Sequence, residues 1–220
     1  TVKESVEAYA ATYGETVLYS SARNEYAITR MSRILTRTVL TLQQHLKQGS
    51  FQPDDYELSF RFAENLDSIH VDLSEEEKMH LQGRIDRIDV SEDAAALYYG
   101  LQLQLVVYMN AAMELESRKH PDKEIVPAAL LYYHIDDPTI ETPVELTDEQ
   151  INEQILAKLR MNGVVNSDPE VVERLDHYLQ DKSAVIPVEK KKDGSFSARS
   201  GILSREEMQL VSAYVDAKIR

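Results

Sequence analysis

The sequence has 220 residues, 38 acidic against 24 basic side chains for a formal net charge of −14, 43% apolar residues and no cysteine. That length suits one large or two small domains, and the apolar fraction suits a globular chain rather than a disordered one. Disulfides, Cys-ligated zinc and a Cys-ligated iron–sulfur cluster are excluded within this chain, no apolar run approaches the ~18 residues of a membrane span, and the acidic balance opposes nucleic-acid binding unless basic residues gather locally.

The start, Thr1-Val2-Lys3-Glu4, lacks the basic and apolar pattern of a signal peptide and lacks an initiator Met, which reads as a piece of a longer polypeptide. Residues 1–16 predict a short helix on Val2, Val6, Tyr9 and Tyr13, stopped by Gly14. The strongest helix falls at 24–48, where Ile28, Met31, Leu35, Val39, Leu42 and Leu46 recur at threes and fours before Gly49. Arg23, Arg30, Arg33 and Arg37 share about an 80° arc of it. They form either a solvated basic face or a stripe turned to phosphate.

The period then changes to two. Alternation predicts strands over 55–62, 68–73 and 79–90, with the acidic run Ser74–Glu77 as a turn. A helix follows over 97–118, then a strand over 125–134 apolar enough for burial on both faces, closed by Asp136-Asp137-Pro138. Thr147 and Gln150 make a capping box for a helix over 147–161, and Pro169 opens another over 168–181. A short strand is expected at 184–188, a polar loop at 190–199, and a last helix at 204–220 with Ser204 as cap and Glu207 three residues on. This order predicts an α/β fold, a sheet sandwiched between helices. It divides into N-terminal helices over 1–50, a sheet core over 51–138 and a helical C-terminal part over 139–220, all within one domain.

No P-loop, no His-Glu-x-x-His and no G-x-S-x-G elbow occurs, and the six histidines show no zinc-type spacing. Two constellations stand out. In Gly83-Arg84-Ile85-Asp86-Arg87-Ile88-Asp89-Val90 a carboxylate sits within an apolar strand, and it needs a cation: Arg84, Arg87 or a divalent metal. Gln104 and Tyr108 lie four residues apart, hence on one helix face, which is equally compatible with an ordinary amphipathic helix.

Those segments, with Leu81–Asp89, Tyr98–Tyr108 and Leu131–Pro138 in this order, resemble the C-terminal nuclease domain of the AddB/RexB subunits of bacterial ATP-dependent helicase–nucleases. Leu18–Arg23 and Lys191–Ser195 extend the likeness to most of the chain. The resemblance implies a restriction-endonuclease-like PD-(D/E)xK core, a mixed central sheet flanked by helices. It implies hydrolysis of single-stranded DNA during double-strand break repair by recombination, Mg²⁺, a partner A subunit carrying helicase and nuclease activity, and a cytoplasmic setting. By position, Asp86 matches the metal-binding Asp of the family's G-x-x-D strand, Glu57 the upstream acidic residue, and Gln104 and Tyr108 the Gln-x-x-x-Tyr pair. Arg23, Arg30, Arg33 and Arg37 are weaker candidates for DNA contact.

The departures are informative. Family members carry an Asp-Tyr-Lys strand after the Asp-bearing one, whereas here Val90 runs through Ser91-Glu92-Asp93-Ala94-Ala95-Ala96 into Leu97-Tyr98. About two dozen family residues have no counterpart, through an omitted stretch, a deletion or natural loss. The family's motif-histidine helix and Cys-rich end are expected outside these boundaries. Glu76-Glu77-Lys78, Glu189-Lys190-Lys191 and Asp216-Ala217-Lys218 fit the missing letters only as chance matches in a highly charged chain. The chain is therefore expected to cut DNA poorly, lacking the second carboxylate and the lysine. The alternatives are a non-catalytic interaction module with a decayed nuclease fold and, more remotely, an acidic helical adaptor without a sheet.

Overall fold

A computed structural model describes residues 1–59, 70–72, 78–81, 83–90, 95–98, 102–142 and 145–219. The chain divides into two compact units, one formed by Thr1–Lys47 with His134–Leu159, the other by Gln48–Tyr133 with Arg160–Arg220.

The first unit is helical. Helix α1 spans Val2–Thr12 behind a capping box between Thr1 and Glu4, and a 3₁₀ helix over Tyr13–Tyr19 follows it. The α-helix thus stops earlier than its apolar spacing suggests, and Gly14 takes φ +51° just beyond it. Helix α2 spans Ala22–Gln48. Its apolar stripe is less buried than the pattern predicts: Met31 and Val39 are half exposed, and its buried residues are Thr38, Thr41 and His45. Helix α4 spans Asp148–Lys158, opened by the expected Thr147–Gln150 capping box.

The second unit holds the strands. β1 (Gln52–Ser59) pairs antiparallel with β4 (Arg84–Val90), and β2 (His70–Asp72) with β3 (Lys78–His80). The single strand expected over 79–90 is therefore two strands in two ladders, parted at Gly83. Expected strand residues 60–62 and the turn at 74–77 lie outside the described residues. β5 (Ala95–Tyr98) takes in Leu97 and Tyr98, where helix was expected to begin, and α3 spans Gln102–Lys119.

A four-stranded mixed sheet has the order β5-β6-β7-β8, with β6 at Ile125–Tyr132, β7 at Asn162–Asn166 and β8 at Ile202–Leu203. β6 runs parallel to β5 and antiparallel to β7, and β7 runs parallel to β8. β6 is buried on both faces, as its apolar run predicts. Leu130 packs with Ile85, Ile88, Leu105, Met109 and Val215, whereas Ala129 and Leu131 pack with Val165, Val172 and Ile186. Leu130 thus serves one cluster, and the residues on either side of it the other. The first cluster joins β4, α3 and α6 (Arg205–Ile219), the last of which has the expected Ser204–Glu207 reciprocal cap.

Sequence spacing missed β7 because Asn162-Gly163 and Asn166 read as loop. The buried Asn166 amide donates to the Pro127 carbonyl at 2.9 Å, tying β7 to the strand whose proline supplies no N–H. Helix α5 (Pro169–Leu175) is half its expected length. Asp176 ends it, accepting from the Tyr178 N–H at 3.0 Å and the Ser183 hydroxyl at 2.6 Å. The strand expected at 184–188 is a turn instead: Ser183 Oγ accepts from the Val185 and Ile186 N–H groups, and the run's apolar side chains are core.

Gly163 has φ +132°, and a Cβ there would lie 2.0 Å from the Leu130 carbonyl oxygen. Gly163→Ala forces β6 and β7 apart, so we expect a loss of about 3 kcal/mol or more in denaturant unfolding. A loss below about 0.5 kcal/mol would contradict the close approach.

Candidate functional site

Antiparallel pairing fixes where the two matched carboxylates stand. Tyr56 pairs with Arg87 and Leu58 with Ile85, so Glu57 and Asp86 occupy facing positions between those pairs. Both residues are exposed, while Ile85 and Ile88 beside Asp86 are fully buried and anchor β4 in the core. Glu57 takes φ +50°, a left-handed conformation uncommon outside glycine, asparagine and aspartate. Arg84 donates to Glu57 at 3.0 Å, and Arg87 grips the buried Asp89 through its Nε at 2.6 Å. Neither arginine pairs with Asp86, whose carboxylate makes no hydrogen bond or ion pair among the described residues.

Helix α3 presents the second constellation. Leu105, Val106, Met109 and Ala112 bury its inner side, leaving Gln104 exposed. The Gln104 amide donates to the Tyr108 hydroxyl one turn on, so the pair forms a single polar unit.

At its other end α3 carries a group that spacing did not reveal. The register of β1 shifts between Pro53 and Asp55, a bulge at Asp54 that lets consecutive aspartates turn toward one partner. Asp54, Asp55 and the buried Glu116 bring carboxylate oxygens within 4.8 Å of one another, close enough to hold a metal ion. Lys119 Nζ stands at their centre, 2.8 Å from each aspartate and 2.7 Å from Glu116. Partial burial pulls its pKa down, but the three carboxylates more than offset this and raise it beyond the usual lysine range.

In the helical unit three of the four candidate arginines converge on one acid. Arg33 donates to Asp137, Arg37 lies 2.9 Å from it and Arg30 4.0 Å. Chiefly through Arg33, they hold the Asp137 carboxyl below its ordinary range. Arg23 is exposed on the same helix. Of the chance acid–lysine matches, Glu189 pairs with Lys182 at 3.1 Å.

A divalent cation of the kind such nucleases use takes hard oxygen ligands, commonly six or more. Glu57 and Asp86 suit it in kind but not in number. Among the described residues no third Asp, Glu, His or Cys joins them, since the one group of three is the cluster around Lys119. β5, which follows β4, reads Ala95-Ala96-Leu97-Tyr98 and shares a ladder with β6 and none with β4.

Replacing Lys119 tests its place in the acidic cluster. Lys119→Met keeps most of the apolar stem and removes the charge, at a cost of about 2 kcal/mol after discounting for the exposure of the ammonium. Denaturant unfolding measures that cost, and a loss below about 0.5 kcal/mol would rule out Lys119 as the group that holds the cluster together.

Comparison with protein-family models matches residues 2–201 to the PD-(D/E)XK nuclease superfamily. The chain is 37% identical over 221 residues to the B subunit of an ATP-dependent helicase/deoxyribonuclease from Clostridium acetobutylicum, covering 92% of this chain and 19% of that protein. It is 38% identical over 242 residues to the protein of the same name from Lachnoclostridium phytofermentans, covering 97% and 19%, and 32% identical over 236 residues to that of Desulforamulus reducens, covering 99% and 20%. The chain spans about a fifth of the length of these relatives. The second match is longer than the 220 residues here, so that relative carries at least 22 with no counterpart in this chain. Matched over nearly its whole length, and with a mixed sheet flanked by helices, the chain belongs to the PD-(D/E)XK nuclease superfamily.

Proposed function

We propose that the longer protein to which this chain corresponds hydrolyses phosphodiester bonds of single-stranded DNA with Mg²⁺, as the B subunit of a cytoplasmic helicase–nuclease that processes double-strand breaks for recombination. The observation that carries this reading is the facing of Glu57 and Asp86 across β1 and β4, in a chain matched to a nuclease superfamily over residues 2–201. The names of the relatives supply the DNA substrate and the second subunit. No helix among the described residues is long and apolar enough to cross a membrane.

Within the site, Asp86 and Glu57 are the metal-facing oxygens, and the Gln104–Tyr108 unit positions the strand beside them. A bound divalent cation would supply Lewis acidity at the scissile phosphate. Among the described residues this chain supplies two of the ligands and no lysine beside them. We therefore read the 220-residue chain as inactive by itself, with the missing family residues falling between β4 and β5. The alternative of a non-catalytic module draws on the same strand, since Ala95-Ala96-Leu97-Tyr98 offers neither carboxylate nor ammonium.

The two readings separate in the parent protein. We expect Mg²⁺-dependent degradation of single-stranded DNA, abolished by Asp86→Ala with folding intact, and no cleavage by the 220-residue chain. A parent inactive with both Mg²⁺ and Mn²⁺, or equally active after Asp86→Ala, would overturn the proposal.

A further inference from the structure

The cluster on α2 holds more positive charge than its carboxylate can neutralise. Asp137 gives one oxygen to Arg37 and the other to Arg33 and Arg30, and no second carboxylate pairs with these guanidinium groups among the described residues. Three cations thus share one anion. The side chains of Arg30 and Arg33 are 56% and 55% exposed, so much of their fork of N–H donors faces solvent. In a chain of net charge −14 this is a local reversal of sign on a single helix.

The surroundings extend the reversal. Arg33 and Arg37 line a groove of about 1130 Å³ within the helical unit. Its other ionisable side chains are Lys3 and Glu7, which lie 3.8 Å apart and offset each other. Val39, Leu40 and Ile155 supply apolar surface, and Leu40 is 54% exposed. Guanidinium donors beside open apolar wall suit a ligand with a repeating anion and flat, weakly polar groups. A carboxylate ligand of the same size would satisfy the donors but leave the wall bare.

We infer that Arg30, Arg33 and Arg37 form a binding site for the phosphodiester backbone of a nucleic-acid strand, with Asp137 as the internal counter-ion that aims them. Phosphate offers the bidentate acceptor geometry that Arg33 and Arg37 already satisfy with a carboxylate. An arriving phosphate displaces or shares Asp137, so that residue weakens the strand's hold while keeping the guanidinium groups in register. Asp137 is accordingly a positioning residue. The choice of a nucleic acid as the carrier of the anion rests on the nuclease reading above, whereas the anion site rests on the arginines.

The test uses the 220-residue chain in EDTA with a fluorescent oligothymidylate, titrated between about 50 and 200 mM salt. Arg33→Gln combined with Arg37→Gln should weaken binding tenfold or more and flatten the plot of log K against log salt by about 0.7 for each phosphate no longer neutralised. Asp137→Asn should tighten binding severalfold, and Lys192→Gln, in an exposed loop of the other unit, should leave it unchanged. Circular dichroism checks the helices; if Asp137→Asn alone lowers helix content, Arg33→Gln decides. Arginine variants that bind like the wild type, a wild type that does not bind, or inorganic phosphate competing as well as the strand would each overturn the inference. If the arginine variants are silent but Asp86→Ala still abolishes cleavage by the parent, only the arginine site falls. The reverse pattern removes the nuclease reading and leaves a strand-binding chain.

Discussion

A strand buried on both faces must satisfy its backbone through its neighbours in the sheet, and β6 imposes that constraint on the whole second unit. Its parallel partner β5 and antiparallel partner β7 meet the requirement along its edges, and the two apolar clusters cover its faces. Pro127 removes one donor from the strand, and Asn166 uses that proline's carbonyl to fasten β7. α3 returns the chain from β5 to β6, as a parallel pair requires, and packing against the same strand sets the helix that carries Gln104 and Tyr108.

Charged groups do the work that apolar packing leaves undone. Neither apolar cluster includes a residue of the helical unit, where the buried residues of α2 are two threonines and a histidine. There Asp137 draws α2 to the segment after β6, and Lys158 donates to the Thr139 carbonyl at 2.6 Å. In the sheet unit, Lys119 binds the bulged start of β1 to the end of α3. One lysine thereby links the strand of Glu57 to the helix of Gln104 and Tyr108. Such pairs fix geometry better than they add net stability, because taking the charges from water offsets much of the attraction.

What could be read from the sequence was local. Capping residues at Thr147 and Ser204, and Pro169 in a first turn, located helix starts because these signals act within one turn. The apolar run at 125–132 was legible because burial on both faces needs no partner to be named. The motif at 83–90 and the Gln104–Tyr108 spacing were legible through family likeness more than through physics. β5 and β7 were not, since each is a strand only by virtue of its ladder partners. The run at 184–188 was apolar enough for a strand, yet Ser183 turned it into a folded-back loop. The acidic cluster was hidden because Lys119 reaches aspartates 64 and 65 positions away. The arginines of α2 were visible, but their common partner was not.

The span of that last ion pair has a consequence for synthesis. Arg37 and Asp137 are 100 positions apart. At about 5–20 residues per second, the helix leaves the ribosome roughly 5–20 s before its counter-ion does. Throughout that interval α2 is a bare cationic rod, and the intervening strands are translated before the helical unit can close. The helical unit can close once Leu159 is made, ahead of the sheet unit, which still awaits the residues after it; until Asp137 arrives, the nascent chain meets the polyanionic ribosome with these guanidinium groups uncovered.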